Sequence, residues 1–346
     1  MKILKFGGTS VANPEGLTRV IEIIKKNTEQ LIIVVSAFGG VTNLLIEMAE
    51  QASKSNNNYK KNIKTIEEIH LNQINFFIPV KQQSGIISFL KSKINELEDF
   101  LESLNTLKEL TQKSLSKISS FGEILSSTII YHVLKDSNLD ADIADSRDIL
   151  FTHKVNDREV INNKKSAKKT SLLLKNKKSK IIVIPGFIAQ DEEGNITTLG
   201  RGGSDYTASL LANYADANIL EIWTDVSGVY TANPKLVSQA QPIKKLSFQE
   251  AMELSHFGAK VIYPPTLQPL IEKNIPLRIK NTFDTSAKGT LINQNNLKKD
   301  ENSIVKGVSH IENVSLVNLE GSGMVGIPGF SKRFFECLSE KKINII

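Results

Sequence analysis

The sequence predicts an α/β protein with a mainly parallel central sheet. Two short apolar runs, residues 3–6 and 31–37, have the length and composition of buried strands. Between them, residues 14–26 repeat their apolar positions with a helical period. Strand, helix and strand at this spacing indicate a right-handed crossover between parallel strands, so ligands should gather at the carboxyl ends of those strands.

The alternation of strand and helix patterns continues along the chain. Residues 41–115 are almost wholly helical in pattern, with breaks at residues 53–58 and at Pro79, and we expect a helical excursion or lid at about residues 42–120. The later elements are expected in this order: a helix at 121–134, a strand near Asp142, a lysine-rich helix, a strand at 180–184, a β-hairpin at 188–199, a helix at 204–217, a strand at 219–224, helices at 248–255 and 265–273, and a strand at 277–280.

The composition changes near residue 286. Residues 286–303 are polar and predict a linker, whereas residues 305–319 alternate like strands and residues 329–341 have the pattern of an amphipathic helix. A further strand pattern begins at Ile343 and stops with the chain, so we expect a piece of a longer protein. The expected division is a domain at 1–292, a linker at 293–304 and a truncated segment at 305–346.

Bulk composition excludes several classes of protein. The 346 residues are 40% hydrophobic and 23% charged, which predicts about two folded domains rather than a disordered chain. The net charge is +6, but the lysine-rich stretch at 164–180 has no interleaved aromatic residues, so we expect no nucleic-acid partner. No membrane-length apolar run or signal peptide is present, and we expect a cytoplasmic protein. The single cysteine excludes an intramolecular disulfide.

The first strand pattern leads into a candidate phosphate site. Residues 5–10 read KFGGTS, so Lys5 stands near the end of a strand, with only Phe6 between it and Gly7 and Gly8. Glycines let backbone N–H groups approach an anion, and the following helix start adds positive partial charge. A plain β-turn with a surface lysine is the alternative, and the stretch fits neither the Walker A motif nor Gly-x-Gly-x-x-Gly.

Two further glycine-bearing stretches fall in predicted loops or helix starts. In residues 36–43, SAFGGVTN, the hydroxyls of Ser36 and Thr42 could face a ligand, or Thr42 could simply cap the next helix. In residues 120–123, SFGE, Glu123 could accept hydrogen bonds from a ligand ammonium, or it could favour the dipole of a helix that starts there.

The most informative stretch is residues 199–208, LGRGGSDYTA. Three glycines around Arg201, entering a helix through Ser204 and Asp205, offer a bidentate cation for a carboxylate together with backbone donors. Farther along, Asp225 ends a strand and suits a magnesium or ribose contact. Residues 257–261, FGAKV, place one more lysine beside a glycine.

Together these stretches carry a family resemblance. KFGGTS at 5–10, GRGGSD at 200–205, the Thr224-Asp225 loop and FGAK at 257–260 resemble, in order, the motifs of the aspartate kinases of the amino-acid kinase superfamily. The resemblance covers residues 1–292 and implies a three-layer αβα sandwich. The tail, with GSGMVG at 321–326, resembles the start of the ACT-type regulatory region found in enzymes fused to homoserine dehydrogenase. The resemblance implies a partial ACT-like α+β segment at this end of the chain.

The resemblance also implies roles for individual residues. It implies that Lys5, Gly7, Gly8 and Lys260 hold ATP phosphates and that Asp205 orients Lys5. Other residues implied to contact the nucleotide are Thr224, Asp225, Tyr230, Lys235 and Val261. Those implied to contact aspartate are Ser36, Thr42, Glu123, Arg201, Gly202, Gly203 and Ser204, with Arg147 a further pocket member. No residue is assigned as a metal ligand.

The activity implied is Mg²⁺-dependent transfer of the ATP γ-phosphoryl group to the side chain of L-aspartate, the first step of lysine, threonine and methionine biosynthesis. The family usually has an arginine where this chain has Lys235, which changes a bidentate contact into a point charge. Three alternatives remain open: a glutamate or N-acetylglutamate kinase, a nucleoside monophosphate kinase, and an amino-acid sensor without catalysis. We expect no membrane partner, and a homodimer or larger homo-oligomer of the full-length protein. The feedback effector, lysine or threonine, is not indicated by the sequence.

Overall fold

A computed structural model of the chain describes residues 1–156, 158–258, 262–294, 305–320, 328–341, 343 and 345. Its strands are β1 (Lys2–Phe6), β2 (Leu31–Val35), β3 (Ala141–Ile143), β4 (Thr152–Val155), β5 (Arg158–Ile161), β6 (Ile181–Pro185), β7 (Ile188–Gln190), β8 (Ile196–Thr198), β9 (Ile219–Thr224), β10 (Lys245–Ser247), β11 (Leu277–Asn281) and β12 (Thr290–Asn293). Its α-helices are α1 (Pro14–Lys25), α2 (Val41–Ser53), α3 (Tyr59–Phe77), α4 (Gln83–Leu107), α5 (Gln112–Asp136), α6 (Asn163–Asn176), α7 (Gly203–Tyr214), α8 (Phe248–His256), α9 (Leu267–Glu272) and α10 (Phe330–Glu340).

Eight strands form one central sheet in the order β10-β12-β11-β9-β1-β2-β6-β3. The pairs in the middle are parallel, and only the pair of β11 and β12 is antiparallel. The expected hairpin is observed as the antiparallel pair of β7 and β8. The mainly parallel sheet predicted from the sequence is confirmed.

Each face of the sheet has its own hydrophobic core, because successive strand residues point to opposite faces. Leu4 and Phe6 of β1 pack with α1 to α5, whereas Ile3 packs with α7, α8 and α9 on the other face. The result is a three-layer αβα sandwich, as predicted. The helical excursion is therefore observed as four helices that share one core with the sheet.

The structure corrects two expectations for the tail. Residues 290–293 are not part of a linker, because β12 pairs with both β10 and β11 inside the sheet. Residues 305–320 contain no strand, although their apolar residues alternate. A segment with alternating apolar residues forms a strand only when a neighbouring strand pairs with it. Here the side chain of Leu316 is 98% exposed, so the apolar side of the segment is not covered at this residue. Of the strand expected from Ile343 onward, residues 344 and 346 lie outside the described residues.

None of the helices in the described part of the chain combines the length and the apolar composition needed to cross a membrane.

Candidate active site

The loops that follow β1, β2, β6 and β9 meet at the carboxyl edge of the sheet. Hydrogen bonds extend the ladder beyond the strand ends: the Gly7 N–H donates to the Trp223 carbonyl at 3.1 Å, and the Ser36 N–H to the Phe6 carbonyl at 3.2 Å. On the other side, the Gly186 N–H donates to the Val35 carbonyl at 2.8 Å. The loops are thus held in register by the backbone itself.

These loops enclose a cleft of about 810 Å³, a typical size for a small-molecule site. The predicted residues that line it are Lys5, Gly7, Gly8, Ser36, Thr42, Glu123, Arg201, Gly202, Gly203, Ser204, Asp205, Thr224 and Asp225. They come from parts of the chain more than 200 residues apart, and the fold brings them to one place. Their individual roles stay predictions.

Lys5 and Asp205 form an ion pair inside the cleft. The Lys5 Nζ lies 2.6 Å from Asp205 Oδ1, and both side chains are largely buried. Lys5 is the next-to-last residue of β1, and Asp205 lies in the first turn of α7, where the helix dipole favours a carboxylate. The lysine is therefore held in one position by a carboxylate that is itself fixed by a helix.

Close backbone contact between the first two glycine loops requires glycine at position 8. A Cβ atom on Gly8 would lie only 2.9 Å from the Ala37 carbonyl oxygen. At the entry to α7, Gly202 has φ +67°, a left-handed conformation that side chains disfavour. The two glycines allow the loops to line the cleft with backbone rather than with side chains.

Glu123 is a buried carboxylate on the wall of the cleft. Its side chain is 3% exposed, and its Oε1 accepts the Ala37 N–H at 3.2 Å. Its Oε2 is buried and has no hydrogen-bond partner within the described residues. Burial raises the pKa of Glu123 to about 8, against the opposing effects of the Ala37 N–H and the Lys5 charge.

The structure places Glu123 in the interior of a helix, not at a helix start. Helix α5 begins at Gln112, where the Thr111 side chain caps it by accepting the Ser114 N–H at 3.1 Å. A favourable interaction with the helix N-terminus therefore does not explain Glu123. The Ser126 hydroxyl, one turn later, donates to the Ser36 carbonyl at 2.9 Å and ties the same loop to α5.

Thr42 does not cap the helix that follows it. Helix α2 begins at Val41 with Gly40 as its N-cap, and no side chain makes a capping hydrogen bond. Thr42 lies within this helix and is one of the residues that line the cleft.

Arg201 is exposed and lines the same cleft. Its guanidinium makes no ion pair or hydrogen bond with the described residues. Gly203 and Ser204 are buried beside it, in the first turn of α7. The Gly203 N–H already donates to the Gly200 carbonyl at 3.0 Å, so the donors at this helix start are the N–H groups that follow it, which have no partner inside the helix. Arg201 and this helix start can therefore both act as donors to a carboxylate.

Arg147 is placed differently from the expectation. It lies in a short helical turn after β3, and its Nε donates to the Asp145 carboxylate at 2.9 and 3.0 Å. It does not line the cleft. In the structure its guanidinium pairs with Asp145 outside the cleft lining, and a role of Arg147 in the pocket stays a prediction.

A second cavity, of about 570 Å³, adjoins the first. Thr224 and Asp225 line both cavities, and Tyr230 and Lys235 line the second. The Thr224 hydroxyl donates to Asp225 Oδ1 at 3.2 Å. Lys260 and Val261 lie outside the described residues.

Sequence reasoning missed several residues of the cleft. Phe187 lines it with φ +69°, a left-handed conformation that is a genuine outlier for a bulky residue. Its N–H donates to the Thr207 hydroxyl at 3.0 Å, so α7 holds the strained turn in place. The signal available was the Pro-Gly-Phe sequence that begins with the last residue of β6. Other missed lining residues are Thr9, Asn43, Gln112, Ser119 and Thr198.

Comparisons with known proteins agree with this geometry. The model of the amino acid kinase family matches residues 1–281, and an ACT domain model matches residues 317–346. The bifunctional aspartokinase/homoserine dehydrogenase of Buchnera aphidicola is 36% identical, over 100% of this chain and 43% of that protein. Lysine-sensitive aspartokinase 3 of Escherichia coli is 31% identical, over 99% of this chain and 74% of that protein.

The solved structures that match this chain are also aspartokinases. Escherichia coli aspartokinase III in complex with aspartate and ADP matches 100% of this chain and 75% of that chain, with a TM-score of 0.82 and 28% identity. The same enzyme in complex with lysine and aspartate matches with a TM-score of 0.78. The chain spans less than half the length of the bifunctional relatives it matches. The chain belongs to the amino acid kinase family, and the relatives named here are aspartokinases.

Proposed function

We propose that this chain is the kinase part of an aspartate kinase, which transfers the γ-phosphoryl group of ATP to the side-chain carboxylate of L-aspartate. The observation that carries the proposal is that one cleft combines two kinds of group. Lys5, fixed by Asp205 beside glycine-rich backbone, suits a phosphate, whereas Glu123 and Arg201 suit a free amino acid.

The amino-acid half of the cleft offers one partner for each charge of the substrate backbone. The Glu123 carboxylate, with its unpartnered Oε2, accepts hydrogen bonds from the ammonium group. The Arg201 guanidinium donates two parallel hydrogen bonds to the α-carboxylate. An N-acetylated substrate has no ammonium group for Glu123, so the pocket favours a free α-amino acid.

The chemistry requires little beyond positioning and charge. An oxygen of the aspartate side-chain carboxylate forms the new bond to the γ-phosphorus, while the bond from phosphorus to the bridging oxygen breaks and ADP leaves with the electron pair. The carboxylate is already ionised, so no general base is needed. Lys5 and the backbone N–H groups of the glycine loops, other than those of Gly7 and Gly203 that donate to carbonyls, stabilise the negative charge on the phosphoryl oxygens.

The residues of the cleft fit Mg²⁺ bound together with ATP. No group of three or more metal-ligating side chains occurs within the described residues. Mg²⁺ in kinases is typically held by one or two carboxylates plus substrate phosphates, and Asp225, exposed at the junction of the two cavities, supplies such a carboxylate. The ion would neutralise phosphate charge there.

The second cavity suits the nucleoside part of ATP. It meets the cleft at Thr224 and Asp225, so a nucleotide in it would direct its phosphates toward Lys5. Tyr230 and Lys235 lie on its wall. Lys260 and Val261 are proposed to complete the nucleotide site, as the sequence implies.

We further propose the predicted division with one shift: because Asn293 ends β12, the catalytic domain covers residues 1–293 rather than 1–292, and the linker covers 294–304. The beginning of an ACT-type regulatory region follows at 305–346. The ACT domain match at 317–346 supports the last assignment. A cytoplasmic location, a homo-oligomeric full-length protein and a role in lysine or threonine biosynthesis stay proposals of the same kind.

A coupled assay of ADP release tests the function. The purified chain is given Mg²⁺, ATP and, separately, L-aspartate, L-glutamate or N-acetyl-L-glutamate. We expect ADP release with L-aspartate that exceeds release with either other acceptor at least tenfold. Preference for glutamate or N-acetylglutamate would assign a different acceptor to the cleft. No release with any acceptor, together with measurable binding of an amino acid, would favour a sensor.

A further inference from the structure

Residues 306–313 lie against the catalytic region immediately before the ACT match, and we name them the 306–313 segment. Two polar contacts anchor it: Lys306 Nζ lies 2.6 Å from Glu250 Oε1, and the Val308 N–H donates to the Thr231 carbonyl at 2.8 Å. Glu250 also completes the capping box of α8 with Ser247, so this partner of Lys306 is itself fixed. The segment is therefore attached to elements of the kinase region.

A third contact depends on a glycine. Gly258 has φ +110°, and a Cβ atom there would overlap the carbonyl oxygen of His310. Only a residue without a side chain permits this approach and this backbone conformation. Gly258 belongs to the FGAK motif at residues 257–260, so one of the sequence motifs is in direct contact with the 306–313 segment.

The segment forms one wall of the second cavity. Six consecutive residues, 308–313, line that cavity, and the opposite wall is the loop that contains Asp225, Tyr230 and Lys235. The lining combines apolar side chains, among them Val226, Leu254 and Ile311, with polar ones such as Asn313. A slot of this kind suits a planar heteroaromatic base with its ribose.

We propose that the 306–313 segment is the second wall of the nucleoside site, and that Val308 and Ile311 contact the base of the bound nucleotide. This inference rests on the proposed function, because it places ATP in the second cavity. Val308 is an apolar residue that is 65% exposed beside an open cavity. Covering such a side chain with a base removes apolar surface from water and favours binding.

The test uses the full chain of 346 residues and the double variant Val308→Ala plus Ile311→Ala. Calorimetric titrations measure the Kd for ATP and, separately, for inorganic tripolyphosphate. The loss of several buried methyl groups should raise the Kd for ATP about tenfold. The Kd for tripolyphosphate should change less than twofold, because the phosphates lie near Lys5 and not near the segment.

Val314→Ala is the matched control. Val314 is 54% exposed, lies one residue beyond the cavity lining and is the same type of residue as Val308. Its substitution should leave both dissociation constants unchanged. An equal effect of Val314→Ala on ATP binding would overturn the assignment of Val308 and Ile311 to the wall.

Two outcomes separate this inference from the proposed function. If the wild-type chain binds no ATP, the proposed function fails and the inference fails with it. If the wild-type chain binds ATP and the double variant binds it equally well, or loses tripolyphosphate binding to the same degree, only the inference fails.

A measurement on the wild-type chain avoids any effect of the substitutions on folding. Amide hydrogen exchange is followed with and without ADP. The inference predicts slower exchange of the Val308 amide, and of its neighbours in residues 308–313, when ADP is bound. Unchanged exchange in these residues, with slower exchange at Gly7 and Gly8, would contradict it.

Discussion

The Nζ of Lys5 lies 2.6 Å from Oδ1 of Asp205, although the two residues are 200 positions apart in the chain. The pair joins the end of the first strand to the first turn of α7 and thereby connects the two glycine-rich regions of the cleft. A positive charge stabilises a phosphoryl group best when it is already in place before the reaction begins. The ion pair with Asp205 holds the Lys5 ammonium group in such a fixed position.

Lys5→Ala should lower kcat about a hundredfold or more, because it removes a preorganised positive charge. Asp205→Asn should also lower kcat, by less, because the lysine remains but is no longer held. Steady-state kinetics with saturating aspartate and ATP measure both. Lys113→Ala, which breaks an exposed ion pair with Glu193, is the control and should leave kcat unchanged. Turnover of Lys5→Ala near that of the wild type would contradict the role of Lys5.

Arg201→Ala should raise the KM for aspartate at least tenfold and leave the Kd for ATP largely unchanged. The reason is that Arg201 lies in the amino-acid half of the cleft and does not line the second cavity, where the nucleoside is proposed to bind. Arg201→Lys keeps the charge but loses the bidentate geometry, so it should fall between the alanine variant and the wild type. Initial rates over a range of aspartate concentrations give KM, and calorimetry gives the Kd. A parallel loss of ATP affinity in Arg201→Ala would show that the arginine does not act on aspartate alone.

Glu123 should make stability depend on pH. Its pKa is raised from 4.5 to about 8 in the folded chain, so the unfolded chain binds fewer protons than the folded chain between these values. The free energy of unfolding should therefore fall as pH rises from about 4.5 to 8. Urea unfolding at several pH values, without ligand, measures this slope. Glu123→Gln should flatten the slope in this range, and an identical slope in the variant would contradict the raised pKa.

The same carboxyl group should release a proton when aspartate binds near neutral pH. A bound ammonium stabilises the ionised carboxylate and lowers its pKa, so the proton held in the free chain is lost. Calorimetric titration of aspartate in buffers that differ in ionisation enthalpy counts the released protons. Glu123→Gln should bind aspartate more weakly and release none through this group.

Gly8→Ala should reduce activity, because its Cβ would lie 2.9 Å from the Ala37 carbonyl oxygen and would push the two glycine loops apart. We expect kcat to fall at least tenfold. Gly85→Ala is the matched control: a Cβ at Gly85 meets no atom within 4 Å, and the residue lies in α4. In a helix this change usually stabilises, by about 0.5–1 kcal/mol, and it should leave kcat unchanged. Equal activities of the two variants would rule out loop contact as the reason for glycine at position 8.

The sheet and most helices could be predicted because their signals are local. Strand β2 is buried in full and reads as a continuous apolar run, and α1 starts with a proline in its first turn. The start of α5 was predicted nine residues too late, because the polar stretch that Thr111 caps has a weak helical signal. The strands expected at residues 305–319 failed for a different reason, since strand pairing is a long-range property.

The sequence indicated which residues belong to the candidate site, but not the burial and the contacts of their side chains. The glycines and charged residues stand out in the sequence, but the pairing of Lys5 with Asp205 was implied only by resemblance to a family. The burial of Glu123 within a helix depends on how α5 packs against the loop at residues 36–40, which no local pattern encodes. Arg147 is a further case: its guanidinium pairs with Asp145, two residues away, and it is not among the residues that line the cleft.

If the 306–313 segment contacts the nucleotide as proposed, the affinity for the nucleotide depends also on the part of the chain that follows this segment. The segment continues into the part of the chain that matches an ACT domain at residues 317–346. Any molecule that binds to that region and pulls the segment away from Gly258 would weaken ATP binding by some factor. By thermodynamic reciprocity, ATP would weaken the binding of that molecule by the same factor. The eight residues of the 306–313 segment could thus couple binding at the two sites without any other contact between them.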